Sequence, residues 1–333
     1  MVIFILLGVA GCSAPDPLSV SDYKTRLART LEMQVPELIK PTHHTFPRIR
    51  ELNGETESSN VNLFEFLSLN DCELQTVVAE KNSSLGKQAS LSIQLVSELD
   101  FLRLAEICLP LIEKSKQKLA QKLREVMEEK QKQLGYHIWR ATLAGPEFRA
   151  LWQYDVRSRY QSDPALIEAL NLLNADIGRW LGGDFSVDSH AIERRLEIVQ
   201  TGHGGALLFG WQSLAIELDA ASFIASQRLT KGAWCADGYR PESAEIFNGV
   251  VKRYFIAGVQ QKVAVMNRAS LELDTTIGAM ESQLAFAESP TYRQWRAQRS
   301  EIIELGKASM VAHAKALEPL MRPCGFLPTT PLL

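Results

Sequence analysis

From Phe247 to Leu284 the chain keeps one apolar stripe at helical spacing, and this run limits what it can fold into more than any other feature. The stripe comprises Phe247, Val251, Phe255, Val259, Val263, Met266, Leu273, Ile277, Met280 and Leu284. At about 3.6 residues per turn it lasts about eleven turns, or about 60 Å. So long an amphipathic helix buries its stripe only against partners of similar length. The expectation is therefore an all-α bundle of long antiparallel amphipathic helices.

The flanking segments supply those partners. Ser289-Pro290 opens a helix with Tyr292, Trp295, Ile302, Met310 and Leu317 on its inner side, and Pro319 and Pro323 stop it. Asp163-Pro164 pairs an N-cap with proline at the first helical position, Leu166, Leu170, Leu173, Ile177 and Trp180 follow, and Gly182-Gly183 closes the run. Ile192, Leu196, Val199, His203, Leu207, Trp211, Leu214 and Leu218 form another continuous stripe. In the first half, Tyr23, Leu27 and Leu31 mark a helix over residues 21–33, a proline-rich linker with Pro36, Pro41, Pro47 and His43-His44 follows, and Leu63, Phe64 and Leu67 mark a shorter helix. Residues 88–139 read as one long helix, bent near Pro110, with a charged later portion. Residues 113–133 carry seven Lys or Arg against four Glu around a narrow seam of Leu119, Leu123, Val126 and Met127, which reads as a solvated face rather than a lipid-binding surface. A sub-boundary is expected near 145–163.

The N-terminus is an address rather than part of the fold. Residues 1–11, MVIFILLGVAG, are uncharged and apolar but shorter than the about 20 residues needed to span a bilayer. They end in Val9-Ala10-Gly11-Cys12, an aliphatic residue and two small ones before a cysteine, which resembles a lipobox. The expectation is a signal peptide over 1–11, lipid on Cys12, a proline-bearing tether over 12–18 and a helical periplasmic domain over 19–333. No Lys or Arg precedes Lys24, so a basic n-region is expected upstream of Met1. No further apolar run of transmembrane length is expected.

Four cysteines remain besides Cys12, an even number suited to an oxidising compartment. Three pairings are open, of which Cys72 with Cys108 and Cys235 with Cys324 are favoured, since each pair brackets a helical segment or hairpin. Loops of these lengths stabilise by roughly 3 to 5 kcal/mol each in the chain-entropy model. Free buried thiols are the alternative, and a zinc site ranks far behind the disulfides because no Cys-x-x-Cys pair occurs.

Few residues suggest chemistry. Thr201-Gly202-His203-Gly204-Gly205 could present an imidazole where backbone meets a ligand, but the stripe through His203 favours a core histidine whose glycines admit a neighbouring helix. Trp234-Cys235-Ala236-Asp237-Gly238-Tyr239-Arg240-Pro241 joins two helices through an Asp-Gly turn. Its Tyr239 and Arg240 could grip an anionic or sugar ligand or simply close a stapled loop. His43-His44, His137, His190 and His313 lack metal-ligand spacing, and neither a phosphate loop nor a G-x-S-x-G elbow occurs. No catalytic residue, metal or cofactor is assigned. A net charge of -3 argues against a nucleic-acid partner.

The lipobox, the segments LNDCELQTVVAEKNSSLGK (69–87) and SELDFLRLAEICL (97–109), and WCADGYRP (234–241) together resemble a family of gammaproteobacterial lipoproteins described as domain of unknown function 3080. The resemblance implies a Gram-negative envelope protein without an assigned activity. Ser13 after the acylated cysteine is similar to the signal of lipoproteins sorted to the outer membrane, facing the periplasm. Two classes of function remain. One is a non-enzymatic envelope component that binds a protein, lipid or glycan. The other is an envelope-polymer hydrolase with carboxylates or His203 in a cleft between helices.

Overall fold

The computed structural model describes residues 19–42, 44–52, 72–154, 161–232, 234–235 and 239–327. The signal peptide, Cys12 and tether, the helix expected around Leu63, Phe64 and Leu67, and the Asp237-Gly238 turn lie outside them. The described residues form an all-α protein with no strand. In chain order the helices are α1 (Val20–Leu31), α2 (Ile49–Leu52), α3 (Leu74–Asn82), α4 (Ser84–Lys87), α5 (Leu91–Ile112), α6 (Gln117–Ala141), α7 (Pro146–Leu151) and α8 (Pro164–Leu181). There follow α9 (Ser189–Gln200), α10 (Gly204–Leu229), α11 (Glu242–Val250), a π-helical segment (Val251–Gln260), α12 (Gln261–Gln283), a 3-10 turn (Ala285–Ala287) and α13 (Pro290–Met321).

The chain divides into two compact units that interleave in sequence. The first comprises Met1–Thr42, Trp211–Val265 and Ile302–Leu333. In it, Ser19 caps α1 by accepting from the Asp22 N–H at 3.0 Å, and Tyr23, Leu27 and Leu31 are buried along one face. That face packs on α11 and the π-helical segment, where Tyr23 stacks on Phe255 at 5.4 Å. The π turn has a cause in the sequence. Phe247, Val251, Phe255 and Val259 are spaced by four, which overshoots an α-helical turn by about 40° per step. The wider turn of i→i+5 bonding absorbs the excess, and all four are buried. Cys235 and Cys324 are disulfide-bonded, with their Cα atoms 5.1 Å apart, and Trp234 and Phe326 pack around the bridge.

The second unit comprises His43–Gly210 and Met266–Glu301. Here α5 and α6 form a helical hairpin, α3 lies against α5, and α9 packs on α7 and α8. The disulfide Cys72–Cys108 ties the residues before α3 to α5, with Cα atoms 5.9 Å apart. Buried Glu98 on α5 binds Lys130 of α6 at 2.5 Å and also Lys81 of α3. Burial alone would raise the Glu98 carboxyl, but Lys130 and Lys81 outweigh it and hold it at about 2. Asp163 caps α8 by accepting from the Ala165 and Leu166 N–H groups, and Gly183, at a φ of 94°, turns the chain at its end.

The structure departs from the sequence pattern at three places. Residues 88–139 form two helices and not one bent helix. The apolar period stops at Ile112, and the polar residues 113–116 let the chain reverse so that Leu123, Val126 and Leu134 are buried on the return. The stripe through His203 is also interrupted: α9 ends at Gln200, α10 begins at Gly204 and His203 is exposed. Glycine is a poor helix former, and Gly202 is occupied by contact with Leu151 and Leu166. Finally, Ser189–Leu229 is long and apolar enough to cross a membrane by length and composition. It is nevertheless broken at residues 201–203 and lends Leu196, Val199, Leu207 and Leu218 to the interior.

Candidate ligand site

The site lies in the second unit and begins with glycines. After α7, residues 151–153 run across the start of α10. A Cβ on Gly204 would lie 2.7 Å from the Trp152 ring, and one on Gly205 would lie 2.5 Å from the Gln153 carbonyl oxygen. Only glycine permits this approach. The Thr-Gly-His-Gly-Gly stretch thus matters for its glycines, which seat Trp152.

Behind Trp152 is a buried charge. The Arg299 guanidinium on α13 lies 5.3 Å from the Trp152 ring and 5.4 Å from that of Trp295. Arg299 donates to both oxygens of Glu281, at 2.8 and 3.1 Å, and to Asp274 at 2.9 Å. Tyr292 donates to Glu281 at 2.8 Å. Arg299 and Glu281 are each 2% exposed, so their pairing is what makes the burial tolerable. Burial disfavours the Arg299 cation, but adjacent Glu281 reverses the balance and keeps it charged.

Residues 44–46 close the front. Phe46 is buried and meets Trp295 edge-on at 4.7 Å, while His44 stacks on Trp295 at 5.6 Å. This part of the proline-rich segment is a packed strap and not a free linker. The His44 Nε2 lies 3.3 Å from the Trp295 carbonyl oxygen, which can only accept, so Nε2 carries the proton. Burial, assisted by the charge of Arg299, lowers the His44 pKa and leaves the ring neutral at pH 7.

Together these groups enclose a cleft of about 290 Å³ lined by His44, Phe46, Arg149, Trp152, Tyr154 and Phe209. Tyr154 and Phe209 lie ring to ring at 4.2 Å. Arg149 is the single charged side chain in the lining and forms no ion pair among the described residues. Buried Trp152 Nε1 has no acceptor among them. The cleft therefore offers aromatic faces, a neutral imidazole and one cation with no ion pair among the described residues.

The residues singled out from sequence sit elsewhere. His203 lines a separate notch of about 20 Å³ with Ser162, Asp163, Leu207 and Leu273. Tyr239 is 72% exposed, and Arg240 lies over the Phe326 ring at 5.3 Å and 3.7 Å from Glu245, bracing the stapled region. Cys12 is outside the described residues. No group of three His, Cys, Asp or Glu side chains among the described residues is arranged to hold a metal ion.

The cleft was not legible in the sequence because its walls come from residues 44–46, 149–154 and 205–209, with residues 292–299 packed behind them. The usable signal was Tyr292, Trp295 and Arg299, a cation on the same helical face as two large aromatics. Also missed was His313 in the first unit, fully buried between Tyr23 and Ser222. Ser222 Oγ donates to the Leu218 carbonyl at 2.7 Å, so it accepts from His313 Nδ1–H at 3.0 Å. Nε2 then accepts from the Tyr23 hydroxyl at 2.7 Å. The Ser222 proton thus points at a carbonyl rather than a base, and the arrangement is a structural relay, not an activated nucleophile.

A family model described as Protein of unknown function (DUF3080) matches residues 20–328. No curated protein and no solved structure matches the chain.

Proposed function

Because the chain belongs to the DUF3080 family, whose description assigns no activity, we propose a function from its own residues: a lipid-anchored envelope protein of a Gram-negative bacterium that binds a small ligand in the aromatic cleft. The cleft carries this reading. Its volume of about 290 Å³ falls just below the range of small-molecule sites, roughly 300–1,000 Å³, and so suits a ligand of one ring. Aromatic faces suit a ring with an apolar face, and Arg149, without an ion pair among the described residues, suits an acidic group on it. A sugar ring bearing a carboxylate has both features and fits the envelope address that the Val9-Ala10-Gly11-Cys12 box supports. The hydrolase alternative has less support, since the notch at His203, about 20 Å³, has room for roughly one water.

Calorimetry with N-acetylmuramic acid and N-acetylglucosamine tests the cleft, because the two share a ring and differ by a carboxylate. The acidic sugar should bind at least about tenfold more tightly, and Arg149→Ala should abolish that preference. Binding of neither sugar, or equal binding of both, would contradict the proposal. The anchor is tested by growth with labelled palmitate. The wild type should take up label and Cys12→Ala should not, whereas an unlabelled wild type overturns the anchor and leaves the cleft standing.

A further inference from the structure

We propose that the turn of the α5–α6 hairpin is a second membrane-contact site, which rests on anionic lipid independently of any lipid on Cys12. Two large apolar side chains are exposed at this end of α5, Ile107 at 56% and Leu111 at 59%. They are four residues apart and so share one helical face. Cys108, between them in sequence, is buried in the disulfide with Cys72, which holds the end of α5 in place. Charge decides what the face meets. From Leu111 to Arg124 the chain carries Lys114, Lys116, Lys118, Lys122 and Arg124 against Glu113 alone. Arg124 pairs with Glu113, and Lys122 reaches Glu125 at 3.5 Å. Lys114 and Lys118 are exposed and have no carboxylate partner among the described residues. Exposed leucine and isoleucine beside unpaired lysines match an anionic interface, where the apolar residues enter the acyl boundary and the ammonium groups meet headgroup phosphates. The acidic residue next to the face, Glu106, lies one residue before Ile107, while the unpaired lysines follow Leu111 toward and beyond the turn.

A tryptophan at the turn reports its depth in the full chain. Leu111→Trp is compared with Leu305→Trp, an equally exposed position in the first unit, on vesicles of brominated phosphatidylcholine with and without phosphatidylglycerol. Both vesicles accept an N-terminal anchor, so the reading isolates the turn. Leu111→Trp should be quenched on the phosphatidylglycerol vesicles and several-fold less without them. Leu305→Trp should be unaffected, and adding Lys114→Glu and Lys118→Glu should reduce the quenching by roughly an order of magnitude. Quenching no greater than that of Leu305→Trp, or equal quenching on both vesicles, overturns the proposal. So does an emission shift of Leu111→Trp that follows protein concentration without lipid, which would assign the face to self-association.

Discussion

His313 shows how one buried side chain sets a pH limit on the fold. Burial lowers its pKa from 6.5 to about 4, and the relay from Tyr23 through the ring to Ser222 requires the neutral form. Between those values the unfolded chain binds a proton that the folded chain refuses. Stability from this group is therefore complete above about pH 6.5 and falls away toward pH 4, by about 3 kcal/mol in all. Denaturant melts of wild type and His313→Gln across this range should show a steeper acid-side loss in the wild type. Parallel curves would mean that His313 is not held neutral. Arg299 is the converse case in the second unit, a charge kept because Glu281 and Asp274 accept from it.

The glycines set the behaviour of elements, and identical substitutions should have opposite signs. At Gly205 a Cβ meets the backbone of Trp152 and Gln153, which cannot swing aside. Gly205→Ala should destabilise by about 1–3 kcal/mol and loosen the cleft. Gly278, inside α12, has nothing within 4 Å of a Cβ, so Gly278→Ala should stabilise by roughly 0.4–1 kcal/mol. Thermal melts of the two variants read the signs, and equal shifts in one direction would undo the packing argument. At this scale much was legible in the sequence. The cap and proline at Asp163-Pro164 start α8, the stripe from Phe247 runs through α11, the π segment and α12, and Cys72 with Cys108 and Cys235 with Cys324 are the bonded pairs. The break at 201–203 was less legible, because apolar periodicity continues through it. The break falls where glycines flank His203, and Leu151 and Leu166 close on Gly202 where any Cβ would clash.

For the whole molecule, each compact unit contains one disulfide and its own buried polar network, His313 in one and Arg299 with Glu281 in the other. The cleft belongs to the second unit, yet its lining joins segments as far apart as His44 and Phe209, 165 positions along the chain. No local pattern could have joined them, whereas helices announce themselves through neighbours three and four residues away. A ligand in the cleft would sit against Trp152. The six tryptophans are distributed over both units and give separate indole N–H signals in an isotope-labelled chain. On titration with N-acetylmuramic acid, the Trp152 signal should shift most and Trp295 next, while Trp211 and Trp234 of the first unit stay in place. Saturation without movement at Trp152, or shifts confined to Trp211 and Trp234, would contradict it.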